Sequence, residues 1–382
     1  MALKRCPGGG NMKRLIVCAD GTWNSADSAK ADGDGLTNVG RLRSAIAPRD
    51  PAGIEQRLEY HDGVGAKGSW WSRLVSGATG LGLSRNIKYL YKFLVENYQP
   101  GDELFFFGFS RGAFTVRSLS GLIRNCGILK KENAGRIDDA YDIYRDRSPD
   151  KHPDGKDSIA FRARYSNPDN KIKCVGVWDT VGALGIPTGG PLGLYTRRRY
   201  GFHDVRLSKW VENAFHALAI DEHRKPFAPT IWGVRDSDVS TPGRTQVVEQ
   251  IWFPGVHSNV GGGYADTGLS NLAYRWVLKR ANDCGLALNP GIAAGIKGDC
   301  LGKLYESMTW YYRLFGIYVR RVSEPMSDPD SKEKLHSFEW VAGDAFERRR
   351  TLRLPDHNPP YAPETLRPFA PAQESEVALG RT

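Results

Sequence analysis

The run Glu103-Leu104-Phe105-Phe106-Phe107 stops abruptly at Gly108-Phe109-Ser110-Arg111-Gly112, and Val116, Leu119, Leu122 and Ile123 follow at helical spacing. This succession of strand, sharp turn and helix constrains the chain more than any other feature. A strand that is apolar without alternation is buried on both faces, as in a parallel sheet covered by helices on either side. Three more runs have the same form. Leu15–Ala19 precedes Asp20-Gly21-Thr22-Trp23-Asn24, Ile172–Trp178 precedes Asp179-Thr180, and Val247–Phe253 precedes Pro254-Gly255-Val256-His257. A weaker strand, Arg57–Tyr60, precedes His61-Asp62-Gly63. Between them, Ser84 would cap a helix carrying Ile87, Leu90, Tyr91 and Leu94, and Ser270 one carrying Ala273, Trp276, Val277 and Leu278 that ends before Gly285. Strand-helix alternation predicts a three-layer, doubly wound α/β sandwich with a mostly parallel central sheet and insertions.

Composition narrows the class further. With 382 residues, 40% hydrophobic and 25% charged, the chain is ordinary globular protein rather than a disordered tail, a collagen or a coiled-coil rod. A chain this long buries a large core without disulfide or metal staples. Its six cysteines are scattered, with no CxxC pair and no Cys/His ligand spacing, so no metal or cofactor is expected and a reducing compartment fits best. No stretch reaches the ~18–20 apolar residues of a membrane span. The leading MALKRCPGGGNMKR is basic but lacks the apolar core of a secretory signal. The expectation is a cytoplasmic protein, with export lacking a signal left open. Residues 1–12 read as an extension or leader. Residues 13–325 read as the main domain, with a lid or insertion near 130–170 and another at 186–206, and 326–382 as a C-terminal wrap with a polar tail. The net charge of +10 favours anionic surfaces such as phospholipid or nucleic acid, over a short range at physiological salt. No helix-turn-helix, zinc spacing or basic-aromatic interleaving supports nucleic acid as a partner.

Gly108-Phe109-Ser110-Arg111-Gly112 is a complete G-x-S-x-G in the strand-turn-helix context that the motif needs. A serine held on such a turn sits in a strained backbone, so its flanking side chains must be nearly absent. The helix behind it points its N-terminus at the hydroxyl and favours developing negative charge. The bland reading is a glycine-rich turn whose serine caps a helix. A serine nucleophile needs a base, usually imidazole. Of eight histidines, only His257 both follows a buried-strand pattern and opens a glycine-rich loop, His257-Ser258-Asn259-Val260-Gly261-Gly262-Gly263. Such loops, at the carboxyl ends of parallel strands, are where these sheets place their sites. His61 is the weaker rival. The orienting carboxylate should lie between Ser110 and His257 in sequence. Asp179 ends a buried strand, whereas Asp221 in Ala219-Ile220-Asp221-Glu222-His223-Arg224 is nearer to the histidine, and the strand-end position favours Asp179 by a small margin. The backbone N–H of Arg111 and those of Gly21 and Thr22, after the first strand, are the candidate oxyanion donors.

The segments DGTWN, HDGVG, GLGLSRNIKYLYKFL, GDELFFFGFSRGAFTVRSLSGLI, VGVWDTVGALGIP, HALAIDEHRKPF and WFPGVHSNVGGGY together resemble an α/β-hydrolase family related to the catalytic domain of type VI secretion lipase effectors. The resemblance runs from about Arg14 to Leu278, with weaker echoes at HSFEW and PPYAPETL. It implies an α/β-hydrolase-like fold and a Ser-Asp-His hydrolase, the effector domains being cleavers of phospholipid acyl esters. Carried over, Ser110 is the nucleophile, His257 the base, and Asp179 or Asp221 the acid. Asn259 departs from the family, which more often has an aspartate after His-Ser. The effectors often carry an additional membrane-anchoring module, for which little chain remains here, so ester hydrolysis is a firmer expectation than phospholipid as the substrate.

The leading reading is a serine esterase or lipase acting on an ester or phospholipid, with peripheral contact to a membrane surface. Trp70, Trp71 and Phe109 would line an acyl site or belong to the core. A phosphatase built on Asp20-Gly21-Thr22 with Mg²⁺ wants a carboxylate two residues earlier, where Cys18 stands. The alternative outside enzymology is a hydrolase-fold scaffold binding anionic lipid or a protein partner through Arg197-Arg198-Arg199 and Arg348-Arg349-Arg350. Charge runs of that kind are usually solvated faces.

Overall fold

Each of the apolar runs becomes a strand. In the computed structural model, which describes residues 12–21, 35–63, 80–168, 170–182, 206–241, 243–328, 331–352, 360–369 and 378–379, the runs form β1 (Arg14–Ala19), β3 (Glu103–Phe109), β4 (Cys174–Trp178) and β6 (Val247–Phe253). The weaker candidate is β2 (Gln56–His61). The sequence reading did not single out β5 (Asn213–Ala219), β7 (Glu339–Ala342) or the two-residue β8 (Ala378–Leu379) as strands. In β5 a polar His216 interrupts the apolar run, and it is fully buried because Gln250 on the neighbouring β6 hydrogen-bonds its Nδ1 at 3.1 Å and the Thr180 N–H donates to its Nε2 at 3.1 Å.

The eight strands form one sheet in the order β2-β1-β3-β4-β5-β6-β7-β8, every neighbouring pair parallel. Alternate residues of one strand enter two different cores. Leu104 and Phe106 pack with α2 (Gly80–Asn97) and α3 (Arg111–Cys126), whereas Phe105 and Phe107 pack with α1 (Asn38–Ala45) and α7 (Gly268–Asp283). Both faces being covered, the strands show no polar alternation. The chain has an α/β-hydrolase-like, three-layer fold.

The stretch near 130–170 contains α4 (Ile137–Arg145) and α5 (Lys156–Tyr165), whose Ala140, Tyr141 and Phe161 join the core beneath α3. Residues 183–205, with Arg197-Arg198-Arg199, lie outside the described residues, as do Trp70 and Trp71. The second arginine run departs from the solvated face that its composition suggests. On α8 (Gly343–Thr351), Arg348 donates to the carbonyls of Cys300 (2.6 Å) and Gly302 (2.9 Å), and Arg349 to those of Leu366 (2.9 Å) and Phe369 (3.1 Å). Both are buried because a guanidinium can satisfy several carbonyls at once. Among the described residues no helix is long and apolar enough to cross a membrane.

The strand order reverses between β1 and β3, since β2 lies outside β1 while β4 to β8 continue beyond β3. A crevice opens at the carboxyl ends of strands at such a reversal, where open α/β sheets bind their ligands. Ser110 follows β3 there and Gly21 follows β1.

Candidate active site

Ser110 occupies the turn between β3 and α3 with φ 58° and ψ −120°, a conformation costing a non-glycine residue about 1–3 kcal/mol. Its neighbours make that turn possible. A Cβ on Gly108 would come within 2.6 Å of the Gly112 carbonyl oxygen, and one on Gly112 within 2.0 Å of the Ala19 carbonyl oxygen. The Ser110 N–H donates to the Trp178 carbonyl at 3.0 Å, tying the turn to the end of β4. The hydroxyl does not cap α3; it faces an imidazole instead.

That imidazole belongs to His257, which begins the short helix α6 (His257–Gly261) just beyond β6. Its Nε2 is 2.8 Å from Ser110 Oγ and its Nδ1 is 2.6 Å from Asp179 Oδ2. The ring is buried between Phe109, 4.6 Å away centroid to centroid, and the edge-on ring of Phe227 at 5.0 Å. Phe109, expected to line a mouth or the core, is core packing behind the base, and a Cβ on Gly261 would collide with its ring. Burial lowers the His257 pKa below the usual imidazole value, against the pull of Asp179 in the other direction. A carboxylate on Nδ1 keeps the proton there and leaves the Nε2 lone pair for the serine hydroxyl.

Asp179 ends β4 with φ 38° and is fully buried. Besides His257 it accepts from the Ala219 N–H at 3.0 Å and from both terminal nitrogens of Arg320, at 2.6 and 3.0 Å. Burial would raise its pKa, but the Arg320 guanidinium and the His257 bond outweigh burial and hold the carboxyl well below its usual range. Asp221, the competing acid, faces elsewhere. It accepts from the Gly255 N–H at 2.6 Å and from the Tyr361 hydroxyl at 2.9 Å, so it braces the turn that leads to His257, and burial raises its pKa. The geometry brings Asp179 to the imidazole and leaves Asp221 one turn behind it.

Three groups at the site escaped the sequence reading. Arg320 is fully buried and also donates to the carbonyls of Ala219 (2.8 Å) and Phe227 (2.7 Å). It lies in a stretch with no strand or helix period to mark it. Glu222 accepts from the His257 backbone N–H at 3.3 Å and holds Arg224 through two side-chain bonds of 2.9 and 2.7 Å. Phe227 supplies the ring opposite Phe109. At the family departure, Asn259 uses Oδ1 to accept from the N–H groups of Val256 and Tyr305, both at 3.3 Å, and donates to the Lys303 carbonyl at 3.0 Å. Its amide therefore fastens the histidine loop.

Arg111 opens α3, and the first N–H groups of a helix have no intrahelical acceptor. Gly21 packs against the nucleophile, an added Cβ lying 3.2 Å from Ser110 Cβ, but its N–H is 2.7 Å from Asp20 Oδ1. Asp20 also accepts from Thr37 (2.5 Å) and Tyr60 (2.8 Å), and burial pushes its pKa up to about 6. Thr22 lies outside the described residues. His61 pairs edge-on with Tyr89 at 5.3 Å rather than with the serine. Among the described residues no group of three or more His, Cys, Asp or Glu is gathered to hold a metal ion.

Residues 13–280 match the family described as the type VI secretion system phospholipase effector Tle1-like catalytic domain. The chain belongs to that family. A relative in Saccharomyces cerevisiae, the uncharacterized protein YEL023C, is 28% identical to this Tle1-like domain over 234 residues, covering 56% of this chain and 32% of its own length. The chain thus spans about a third of that relative. Two solved structures are similar at low identity. An uncharacterized protein from Pseudomonas aeruginosa matches 75% of this chain and 49% of its own at TM-score 0.44 and 18% identity. The Tle1 effector bound to the VgrG spike of the type VI secretion system matches 88% and 95% at TM-score 0.42 and 14% identity. Arg320, which grips Asp179, lies beyond the segment that defines the family.

Proposed function

We propose that this Tle1-like domain is a serine hydrolase that cleaves carboxylic esters, acyl esters of phospholipids among them, through Ser110, His257 and Asp179. The observation that carries the reading is the unbroken line from Ser110 Oγ to His257 Nε2 (2.8 Å) and from His257 Nδ1 to Asp179 Oδ2 (2.6 Å), on a strained turn whose glycines admit no side chain. Family membership supplies the phospholipid class.

Ser110 Oγ attacks the ester carbonyl while His257 Nε2 takes the hydroxyl proton. Asp179 stabilises the imidazolium that forms. The new oxyanion lies at the N-terminus of α3, where the Arg111 N–H donates to it and the helix dipole favours its charge. The tetrahedral intermediate collapses as His257 returns the proton to the leaving alkoxide, which departs as the alcohol. Water, deprotonated by the same imidazole, then attacks the acyl-serine. The second intermediate releases the carboxylic acid and restores the Ser110 hydroxyl. The burial that depresses the His257 pKa keeps the base unprotonated at neutral pH.

The test is a panel of soluble short-chain esters and diacyl phospholipids assayed with the native chain and with Ser110→Ala. Hydrolysis that the substitution abolishes supports the reading. Turnover that persists in Ser110→Ala, or none on any ester with the native chain, removes it.

A further inference from the structure

Large apolar side chains left in water gather at one place among the described residues. Trp310, Leu314 and Ile317 are 78%, 77% and 67% exposed, and Phe315 is also exposed. Every other exposed large hydrophobic residue in the described structure is less than half exposed and isolated from the rest in sequence. Four such side chains within eight residues form a patch of the kind that marks an interaction site, whereas single ones need no explanation.

The patch is held to the site by specific contacts. Trp310–Arg313 makes one helical turn, and the turn after it is fastened to the segment following β5, with Ile317 paired to Arg224 and the Tyr318 N–H donating to the His223 carbonyl at 2.9 Å. Tyr312 packs its ring 5.8 Å from Phe227, which in turn lies 5.0 Å from the His257 ring. Two rings therefore separate the exposed patch from the base. Arg313 is exposed within the segment and Lys225 lies against Gly316, while Arg321, which follows, is ion-paired with Glu324 and Glu306 precedes the patch. The whole chain carries +10.

We infer that residues 310–317 dock the protein on an anionic phospholipid bilayer, with Trp310, Leu314, Phe315 and Ile317 entering the boundary between headgroups and acyl chains while Arg313 and Lys225 meet the phosphates. Charge complementarity and continuity with the site single out this occupant. A tryptophan-bearing apolar ridge with cations at its edge suits the membrane interface, where aromatic rings and basic side chains concentrate. Docking there would bring the lipid surface to the Tyr312-Phe227 side of the site. The choice of occupant rests on the phospholipid reading above; the binding itself requires no catalysis.

The experiment therefore uses Ser110→Ala full-length protein and vesicles of phosphatidylcholine mixed with phosphatidylglycerol, with pure phosphatidylcholine for comparison. Co-sedimentation should be stronger on the mixed vesicles and weaken with salt. Acyl chains brominated near the headgroup should quench tryptophan emission, and the quenching should fall when Trp310→Phe is added. Moving a Leu or Ile side chain out of water is worth about tenfold or more in partitioning. Leu314→Glu with Ile317→Glu should thus weaken vesicle binding at least tenfold. The milder Leu314→Ala with Ile317→Ala should fall between. In the background with Ser110 intact, both pairs should hydrolyse a soluble short-chain ester as the native chain does. Unchanged vesicle binding by the Glu pair, or quenching that ignores Trp310, overturns the proposal. So does a native dimer that the Glu pair dissociates, which would assign the patch to a second copy. Vesicle binding by a chain that hydrolyses no soluble ester would remove the hydrolase reading and leave the docking intact.

Discussion

Arg320→Met removes the cation that grips the far side of the candidate triad. The native guanidinium is fully buried and makes four bonds, at 2.6 and 3.0 Å to Asp179 and at 2.8 and 2.7 Å to the Ala219 and Phe227 carbonyls. Methionine fills most of the volume but leaves a buried carboxylate with one fewer counter-charge and two carbonyls without their donor. Breaking a buried ion pair from one side costs about 3–5 kcal/mol. At roughly 2–4 °C per kcal/mol in a domain of a few hundred residues, Tm should fall by roughly 10 °C. The catalytic effect has its own signature. His257 would become the nearest counter-charge left to Asp179, favouring the imidazolium, so the acid limb of kcat/KM moves to higher pH. With the carboxylate less firmly aimed, kcat should drop by about 10²-fold. Arg320→Lys keeps the charge but loses the fork and should lie between the two. The assays are calorimetry and a pH profile on a soluble ester. A methionine variant that melts within ~2 °C of native, with an unmoved acid limb, refutes the positioning role.

Three further expectations rest on the same geometry. Asp179→Asn should cost about 10⁴-fold in kcat through loss of the correct imidazole tautomer, while Asp221→Asn, one turn behind the base, should keep activity within about tenfold; equal losses would undo the assignment. Because burial depresses the His257 pKa, kcat/KM should rise with pH through a midpoint below the ordinary imidazole value, activity being lost as pH falls through the depressed pKa. A midpoint above neutrality in the pH profile would contradict this. Gly112→Ala should abolish folding or activity, since its Cβ would stand 2.0 Å from the Ala19 carbonyl oxygen; near-native turnover and melting would show that the turn has room to relax.

Much of this was legible where local physics decides it. β1, β3, β4 and β6 are apolar on both faces because helices cover both, so their runs stand out. β5 does not, because His216 is accepted into the core through Gln250 on another strand and the Thr180 N–H beyond β4, pairings that no local pattern reveals. Ser110 and His257 were legible from the G-x-S-x-G context and from a strand-end position. Asp179 and Asp221 were not separable to the same degree. Both are buried carboxylates at the ends of adjacent strands, and Tyr361, which occupies Asp221, lies 140 residues away in sequence. Arg320 was invisible for the same reason, being 141 residues from the carboxylate that it grips. The arginines at 348 and 349 misled by composition, since a charge run reads as solvent-facing until the carbonyls that surround it are known.

The most direct measurement is covalent labelling with a fluorophosphonate, whose phosphorus an activated serine attacks with loss of fluoride. Intact mass and peptide mapping of the native chain should find one adduct, on Ser110, with no adduct in Ser110→Ala and labelling slowed by orders of magnitude in His257→Ala. A folded native chain that takes no label, or takes it equally fast without His257, would mean that the serine and imidazole meet without activating each other.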